Sequence, residues 1–566
     1  MKLWSTPSKL PDGKSARDLD PKEIAAIYHR ETKHHFHRYA RSLGFMDWDN
    51  QPDPFRRYAG APFTELPLSE TDESPACEAL YTSGSIPVSP VTIASIGLFF
   101  ERSLAISAWK EYRGNRWALR INPSSGNLHP TEGYAVLPPV SGIGDQPGVY
   151  HYAPREHGLE CRTHFSIDHW NALSQGFPEN TFFVGLTSIF WREAWKYGER
   201  AFRYCQIDLG HAIGTIAFAA RSLGWEAIVL ATPSDATLAT LLGLDRKQEF
   251  HIEEPEHPET LLAIVPSTTT NNLPDTIPVS PISEIAAGRW FGKANRLSKD
   301  HADWPIIGEV AAACQKPETP GFTTKLQTQP EHFQPVPPTV DLSAHEIFKQ
   351  RRSAVSFDGV TSLTADQFFR MLARTMPWAG SLPWNTFGGP VFVNLVLFVH
   401  RVEGLEPGLY FLVRNPAHEA TLREKMLAGH LWEKPQNCPD WLPLYVLDAD
   451  KYQRIAARIS CGQDIAGDSA FSLGMIAEFE SPIARHGAWL YRRLFWETGL
   501  IGQVLYLEAE AAGVRGTGIG CFFDDPVHSL LGVGVQGMQF QSLYHFTIGG
   551  PTDDGRLTTL PAYPNR

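Results

Sequence analysis

A shift of 289 residues lays one part of this chain on another without a gap. Residues 198–210 fall on 487–499, and the register holds through Gly224 on Gly513 to Leu241-Leu242-Gly243 on Leu530-Leu531-Gly532. Both copies keep an arginine (Arg203, Arg492), an acid (Asp208, Glu497) and an apolar run between two glycines. Self-similarity at a fixed offset means that one structural unit is present twice. Upstream, Pro147-Gly148-Val149-Tyr150 matches Pro407-Gly408-Leu409-Tyr410 at a shift of 260. Phe99-Phe100 with Trp109 matches Phe368-Phe369 with Trp378 at 269. The run 199–223 is apolar nearly all round (Phe202, Ile207, Leu209, Ile213, Ile216, Phe218), which predicts a helix buried on every side.

A chain of 566 residues exceeds one compact core, so two domains are expected. Residues 1–77 form a polar, proline-punctuated leader in which a basic helix is predicted over 24–43. Its histidines (His29, His34, His35, His37) lack metal-ligand spacing, so a solvated or domain-packing helix is expected. Residues 78–266 read as the first, mixed α/β domain: a helix over 99–109, strands over 133–138, 147–152 and 181–186, then the buried helix. Residues 267–339 read as a proline-rich linker outside the core, with a helical piece near 307–314, and 340–566 as the second domain. The formal charge of -12 argues against a nucleic-acid partner, since phosphate binding wants a basic face. Residues 1–7 lack the apolar core of a signal peptide, and no apolar run is long enough to cross a bilayer. Seven scattered cysteines without a CxxC pair fit reduced thiols. A soluble, cytoplasmic protein is expected.

Between apolar segments lies Pro123-Ser124-Ser125-Gly126-Asn127, a run of short donors and acceptors with a glycine that lets backbone approach a flat ligand. An isolated pair of serines would read as a helix cap. The whole block resembles the Pro-Ser-Ser-Gly-Asn signature of the nitroreductase superfamily, specifically its SagB-type dehydrogenase branch in tandem two-domain form. That resemblance implies an α+β fold of two tandem FMN-dependent nitroreductase-like domains forming an internal pseudo-dimer. It also implies that the block hydrogen-bonds the isoalloxazine ring of FMN. At the shift of 260, Pro123 falls on Pro383 but the four residues after it fall on Trp384-Asn385-Thr386-Phe387. The second copy has lost the motif.

The converse loss is upstream. Arg351-Arg352-Ser353 resembles the Arg-x-Ser motif that opens nitroreductase domains and grips the FMN phosphate, although the second arginine common in the family is Val355 here. Forked, permanently charged donors and a hydroxyl suit a phosphate dianion. In the first copy Thr82-Ser83-Gly84 stand there instead. The family's dimers bring phosphate grip and Pro-Ser-Ser loop from different subunits. The resemblance therefore implies one composite site: Arg351, Arg352, Ser353 and the backbone of Gly518, Ile519 and Gly520 from the second half, Pro123 to Asn127 from the first. The mirror-related site, lacking both sets, is expected to be empty.

Lys196-Tyr197 resembles the Lys-Tyr pair of azoline-oxidising SagB-type dehydrogenases, which assists deprotonation as hydride passes to flavin N5. A lysine there is a base if burial lowers its pKa, or a counter-charge to reduced flavin; Tyr197 could relay a proton. Lys196 is expected just before the buried helix, where the dipole opposes a cation, which favours function over capping. The glycine-rich Gly516–Gly520 run reads equally as backbone facing flavin or as a closely packed strand. Cys521 reads as a small core residue without a partner histidine, and Cys461 receives no role. Asp524-Asp525 and Asp553-Asp554 read as loops rather than metal ligands, and no metal is expected. The expected function is an FMN-dependent oxidoreductase acting on a small molecule or modified peptide, with a monomer left open by the pseudo-dimer. The alternatives are an NAD(P)H-dependent nitro or quinone reductase and a catalytically degenerate scaffold.

Overall fold

A computed structural model describes residues 19–69, 74–267, 273–323, 326–331, 333, 338–340, 342–534, 537–564 and 566. The stretch 1–7 and the positions 268–272 of the linker lie outside the described residues. Two antiparallel sheets dominate. The first runs in the order 158–164, 148–153, 131–137, 182–188, 257–265 and 226–229, with the short Phe63–Glu65 strand added at one edge. The second runs 444–448, 408–412, 393–399, 471–478, 540–549 and 515–519. Counted along the chain, the six shared strands take the same places in both sheets.

Each sheet is followed through its fourth strand by a long helix, Ala201–Arg221 and Leu490–Ala511, every residue of which is buried. The repeated glycines Gly224 and Gly513 follow these helices at φ of 73° and 75°, a left-handed conformation that glycine adopts without steric cost. The helices cross at Gly210 and Gly499, which the shift of 289 makes equivalent. A Cβ on Gly499 would stand 2.8 Å from the α-carbon of Gly210, and one on Gly210 would stand 2.9 Å from that of Gly499. Two more equivalent pairs tie the halves reciprocally. Arg203 donates to Asp524 at 2.8 Å, and Arg492 donates to Asp235 at 2.8 Å, all four side chains being buried. Buried ions persist only when paired in this way.

One apolar core runs through both halves, from Tyr28 through Phe202 and Leu500 to Phe546. The segment read as a linker outside it contributes: Ile306, Ile307 and Val310 of the helix Pro305–Ala313 lie in that core. Ile282 and Ile285 of the helix Ser280–Ala287 lie in another. The proline signal was right about chain breaks and wrong about burial.

Two local readings also change. The predicted helix over 99–109 is the end of the helix Ile93–Glu101 and the start of the strand Ile106–Tyr112. That strand pairs with Asn115–Arg120 and with Thr558–Leu560 from the other end of the chain. The helix expected over 24–43 stops at Glu31. It packs between the halves: Tyr28 donates its hydroxyl to Glu199 O at 2.6 Å, and His29 Nδ1 meets Tyr491 Oη at 3.2 Å. Among the described residues, no helix is long and apolar enough to cross a membrane.

Candidate functional site

Between the halves lies a cavity of about 850 Å³. Its walls include Pro123, Ser124, Ser125, Gly126 and Asn127 from one half, and Arg351, Arg352, Ser353, Gly518, Ile519 and Gly520 from the other. Tyr197 also lines it. Lys196 does not, but its Nζ stands behind the loop, 3.0 Å from where a Cβ on Gly126 would be.

The serine loop is held from beneath by the first central helix. Asp208 accepts from the backbone N–H of Ser125 at 3.0 Å and from its hydroxyl at 2.8 Å. Burial raises the Asp208 carboxyl to about 7, against the pull of its hydrogen bonds from Ser124 and Ser125. Ser124 Oγ accepts from the N–H of His129 at 2.8 Å. The Asn127 amide donates to Ala118 O at 2.8 Å, and its oxygen meets His129 Nε2 at 3.0 Å. The side chains of the motif therefore shape the loop, and what the loop offers the cavity is chiefly its backbone. Gly126, at φ +57°, is the tightest point: a side chain there would stand 2.6 Å from Tyr197 Oη. In the second copy Glu497 plays the part of Asp208, accepting from Phe392 N at 2.8 Å and Val393 N at 3.3 Å.

Opposite lies a cationic end. Arg351 is buried; it donates to Arg120 O at 2.9 Å, its guanidinium lies 5.1 Å from the ring of Tyr506, and its Nε has no partner among the described residues. Arg352 donates to Lys349 O at 2.8 Å and Arg351 O at 2.7 Å. Among the described residues neither guanidinium has an ion pair. Burial lowers both, Arg352 to about 10 with the charge of Arg351 adding to the effect. The Glu510 carboxylate accepts from the backbone N–H of Arg352 at 3.3 Å rather than from a guanidinium. A buried and a half-buried guanidinium side by side are costly, and a further anion would relieve that cost. Ser353 Oγ lies 2.7 Å from Tyr506 Oη, which also accepts from Gly518 N–H at 3.0 Å, so one phenol joins both predicted elements of the second half.

Gly518 and Gly520 are closely packed, the second of the two open readings. They line the cavity, and the rings of Tyr544 and Tyr204 pack on their α-carbons where a Cβ would collide.

Lys196 changes position. It is in the last turn of a helix of its own, Phe190–Tyr197, rather than at the start of the next one. A cation is favoured at a helix C-terminus, so the electrostatic mismatch does not exist. Its tie to the site is instead its approach to Gly126. The residue the sequence reading missed is Glu193 on the same helix, three and four positions before Lys196 and Tyr197. It is fully buried, neither carboxyl oxygen has a hydrogen-bond partner among the described residues, and burial and then the charge of Asp208 raise its pKa well above the usual range. The i, i+3, i+4 spacing was the available signal. Burial and the charge of Glu193 likewise hold the Tyr197 phenol protonated.

The place that the repeat relates to this cavity is filled by protein. Trp384 and Phe387 are buried there, and the guanidinium of Arg493 lies 3.7 Å from the Phe387 ring centre and 4.7 Å from that of Phe322. Lys316 donates to Thr232 O at 3.0 Å and Pro233 O at 2.9 Å.

Residues 115–252 match the model described as the Nitroreductase family. A protein of Methanocaldococcus jannaschii named as a nitroreductase is 27% identical over 127 residues, 21% of this chain and 62% of its own length. The chain thus spans less than two thirds of that relative. The crystal structure of a protein of Anabaena variabilis, described as a nitroreductase, superposes with a TM-score of 0.65 at 22% identity, covering 94% of this chain and 99% of that one. At this identity the likeness concerns the fold: a mixed α/β architecture shared with a protein named as a nitroreductase.

Proposed function

We propose that the chain is a flavin-dependent oxidoreductase with two nitroreductase-like halves, 78–266 and 340–566, acting as an internal pseudo-dimer and holding one FMN in the cavity between them. The observation that carries this is the pair Arg351, buried, and Arg352, half-buried, whose guanidiniums make no ion pair among the described residues, facing a cavity whose other wall is a backbone-lined serine–glycine loop. A phosphate fits the first feature and a flat ring the second. When bound, FMN supplies hydride exchange at its N5.

This chain's residues would then divide the work. Arg351 and Arg352 hold the phosphate, and Ser353 and Tyr506 fix the backbone beside it. Asp208 keeps the Ser124–Asn127 loop in shape, and Gly518 and Gly520 make room for the rings of Tyr544 and Tyr204 while their strand lines the cavity. Tyr197, protonated and directed at Gly126, is placed to pass a proton. Lys196 behind the same glycine serves as base or as counter-charge to a reduced ring. That pair favours oxidation of an azoline in a modified peptide, or of another C–N or C–C bond with oxygen as acceptor, over NAD(P)H-driven reduction of nitro compounds or quinones.

The test is a fluorescence titration with FMN and with riboflavin, which lacks the phosphate. Arg352→Ala should weaken FMN binding roughly 10- to 100-fold, the range of a charge-assisted hydrogen bond, and leave riboflavin unchanged. Equal binding of FMN by wild type and variant would remove the phosphate from that end.

A further inference from the structure

Cys461 and Cys521, sixty residues apart, meet at the lip of the cavity with their sulfurs 2.8 Å apart, both thiols free and both partly exposed. This corrects the reading of Cys521 as a partnerless core residue. Cys521 follows the strand Arg515–Ile519 and lines the cavity; Cys461 sits in the turn after the helix Gln453–Ile459 at φ +56°. The approach is fixed by the backbone. Gln463 Nε2 donates to Cys521 O at 3.0 Å and to Ser460 O at 2.8 Å, and Phe523 N–H donates to Ile459 O at 2.8 Å.

A histidine is present too. His34 lies close enough to Cys521 to favour its thiolate. Its Nδ1 accepts from the N–H of Ala40 at 2.9 Å, so in the neutral ring Nε2 carries the proton. Arg200, buried, donates to Gly520 O at 3.4 Å. The Cys461 thiol, then His34 and Arg200, outweigh burial and lower Cys521 to about 5, while Cys461 is raised. With the two sulfurs 2.8 Å apart, either can resolve a mixed disulfide formed on the other, and the lowered Cys521 favours it as the attacking cysteine.

We infer that Cys461 and Cys521 are a thiol–disulfide exchange site that reacts with low-molecular-weight disulfides at the cavity's lip. The Cys521 thiolate attacks one sulfur of the small disulfide, whose S–S bond breaks to release one thiolate. That thiolate takes the proton of Cys461. The Cys461 thiolate then attacks Cys521, forming the protein S–S bond and expelling the second small thiolate, which is protonated from solvent. Two protein thiols are oxidised by two electrons, and one small disulfide is reduced to two thiols. The bond would tie the Ser460–Asp464 turn to the Gly518–Cys521 wall. The site does not depend on what fills the cavity.

The full-length protein is equilibrated in a series of reduced and oxidised glutathione, quenched in acid, alkylated, digested and read by mass spectrometry. The expected result is a Cys461–Cys521 linked peptide, two hydrogens lighter, that grows with oxidised glutathione and disappears with dithiothreitol. In Cys461→Ser, glutathione should accumulate as a mixed disulfide on Cys521; in Cys521→Ser, Cys461 should react much more slowly. A lasting glutathione adduct on wild-type Cys521, or full alkylation of both cysteines in the most oxidising buffer, would overturn the inference.

Discussion

Asp208 ties the serine loop to the central helix with one carboxyl group, and folding opposes its ionisation. An acid raised from about 3.9 in the unfolded chain to about 7 by burial favours the fold when protonated. Its contribution is fully present below the unfolded value and is lost as pH rises through about 7. The wild-type minus Asp208→Asn difference in denaturation free energy should therefore fall between those values, by on the order of a few kcal/mol, and be level above them. A flat difference would show that Asp208 is ionised throughout. At Lys196, replacement by methionine should leave the flavin spectrum intact and lower turnover ~10²–10⁴-fold, the usual worth of a positioned acid or base. Loss of bound flavin instead would make it a structural residue. The Pro-Ser-Ser-Gly-Asn and Arg-Arg-Ser blocks could be picked out in the sequence because they are contiguous. Tyr506 and Tyr544 could not, since each enters the site from an element remote in sequence from both blocks, and Glu193 was marked only by its spacing to Lys196 and Tyr197. Asp524 was misread as a loop residue although the shift of 289 lays it on Asp235, and both accept the repeated arginine.

At the scale of elements, the repeat encodes a crossing of two helices as well as two copies of a unit. Alanine at Gly210 or Gly499 puts a methyl against facing backbone, which cannot yield as a flexible side chain can. Either variant should lose about 1–3 kcal/mol in chemical denaturation, the usual cost of overpacking. Gly308, with open space around its α-carbon, should tolerate alanine and serves as the control. Equal stability of all three would mean that the helices part easily. The buried helix 201–221 was legible because its apolar residues go all the way round. The strand Ile106–Tyr112 was not, because its pairing with Thr558–Leu560 spans nearly the whole chain. A local signal did exist there: Arg113 and Gly114 at φ of 50° and 83° make a two-residue hairpin turn.

For the whole molecule, the two halves have diverged in complementary ways. Where the cavity has Ser124–Asn127, the mirror position has Trp384–Phe387; where the cavity is open, the mirror is closed by Phe322, Lys316 and Arg493. The sequence exposed the loss of both motifs, but not that the supposed linker supplies part of the filling, because proline-rich composition carries no information on burial. On the proposed reading, duplication followed by closure of one site would leave an asymmetric pseudo-dimer with a single place for a cofactor. The most direct test is the amount of FMN released per chain after saturation with FMN and removal of the excess, read from the visible spectrum of the protein and of the denatured supernatant. One FMN per chain is expected. Two per chain would contradict the closed mirror site, and none would contradict the cavity as a flavin site.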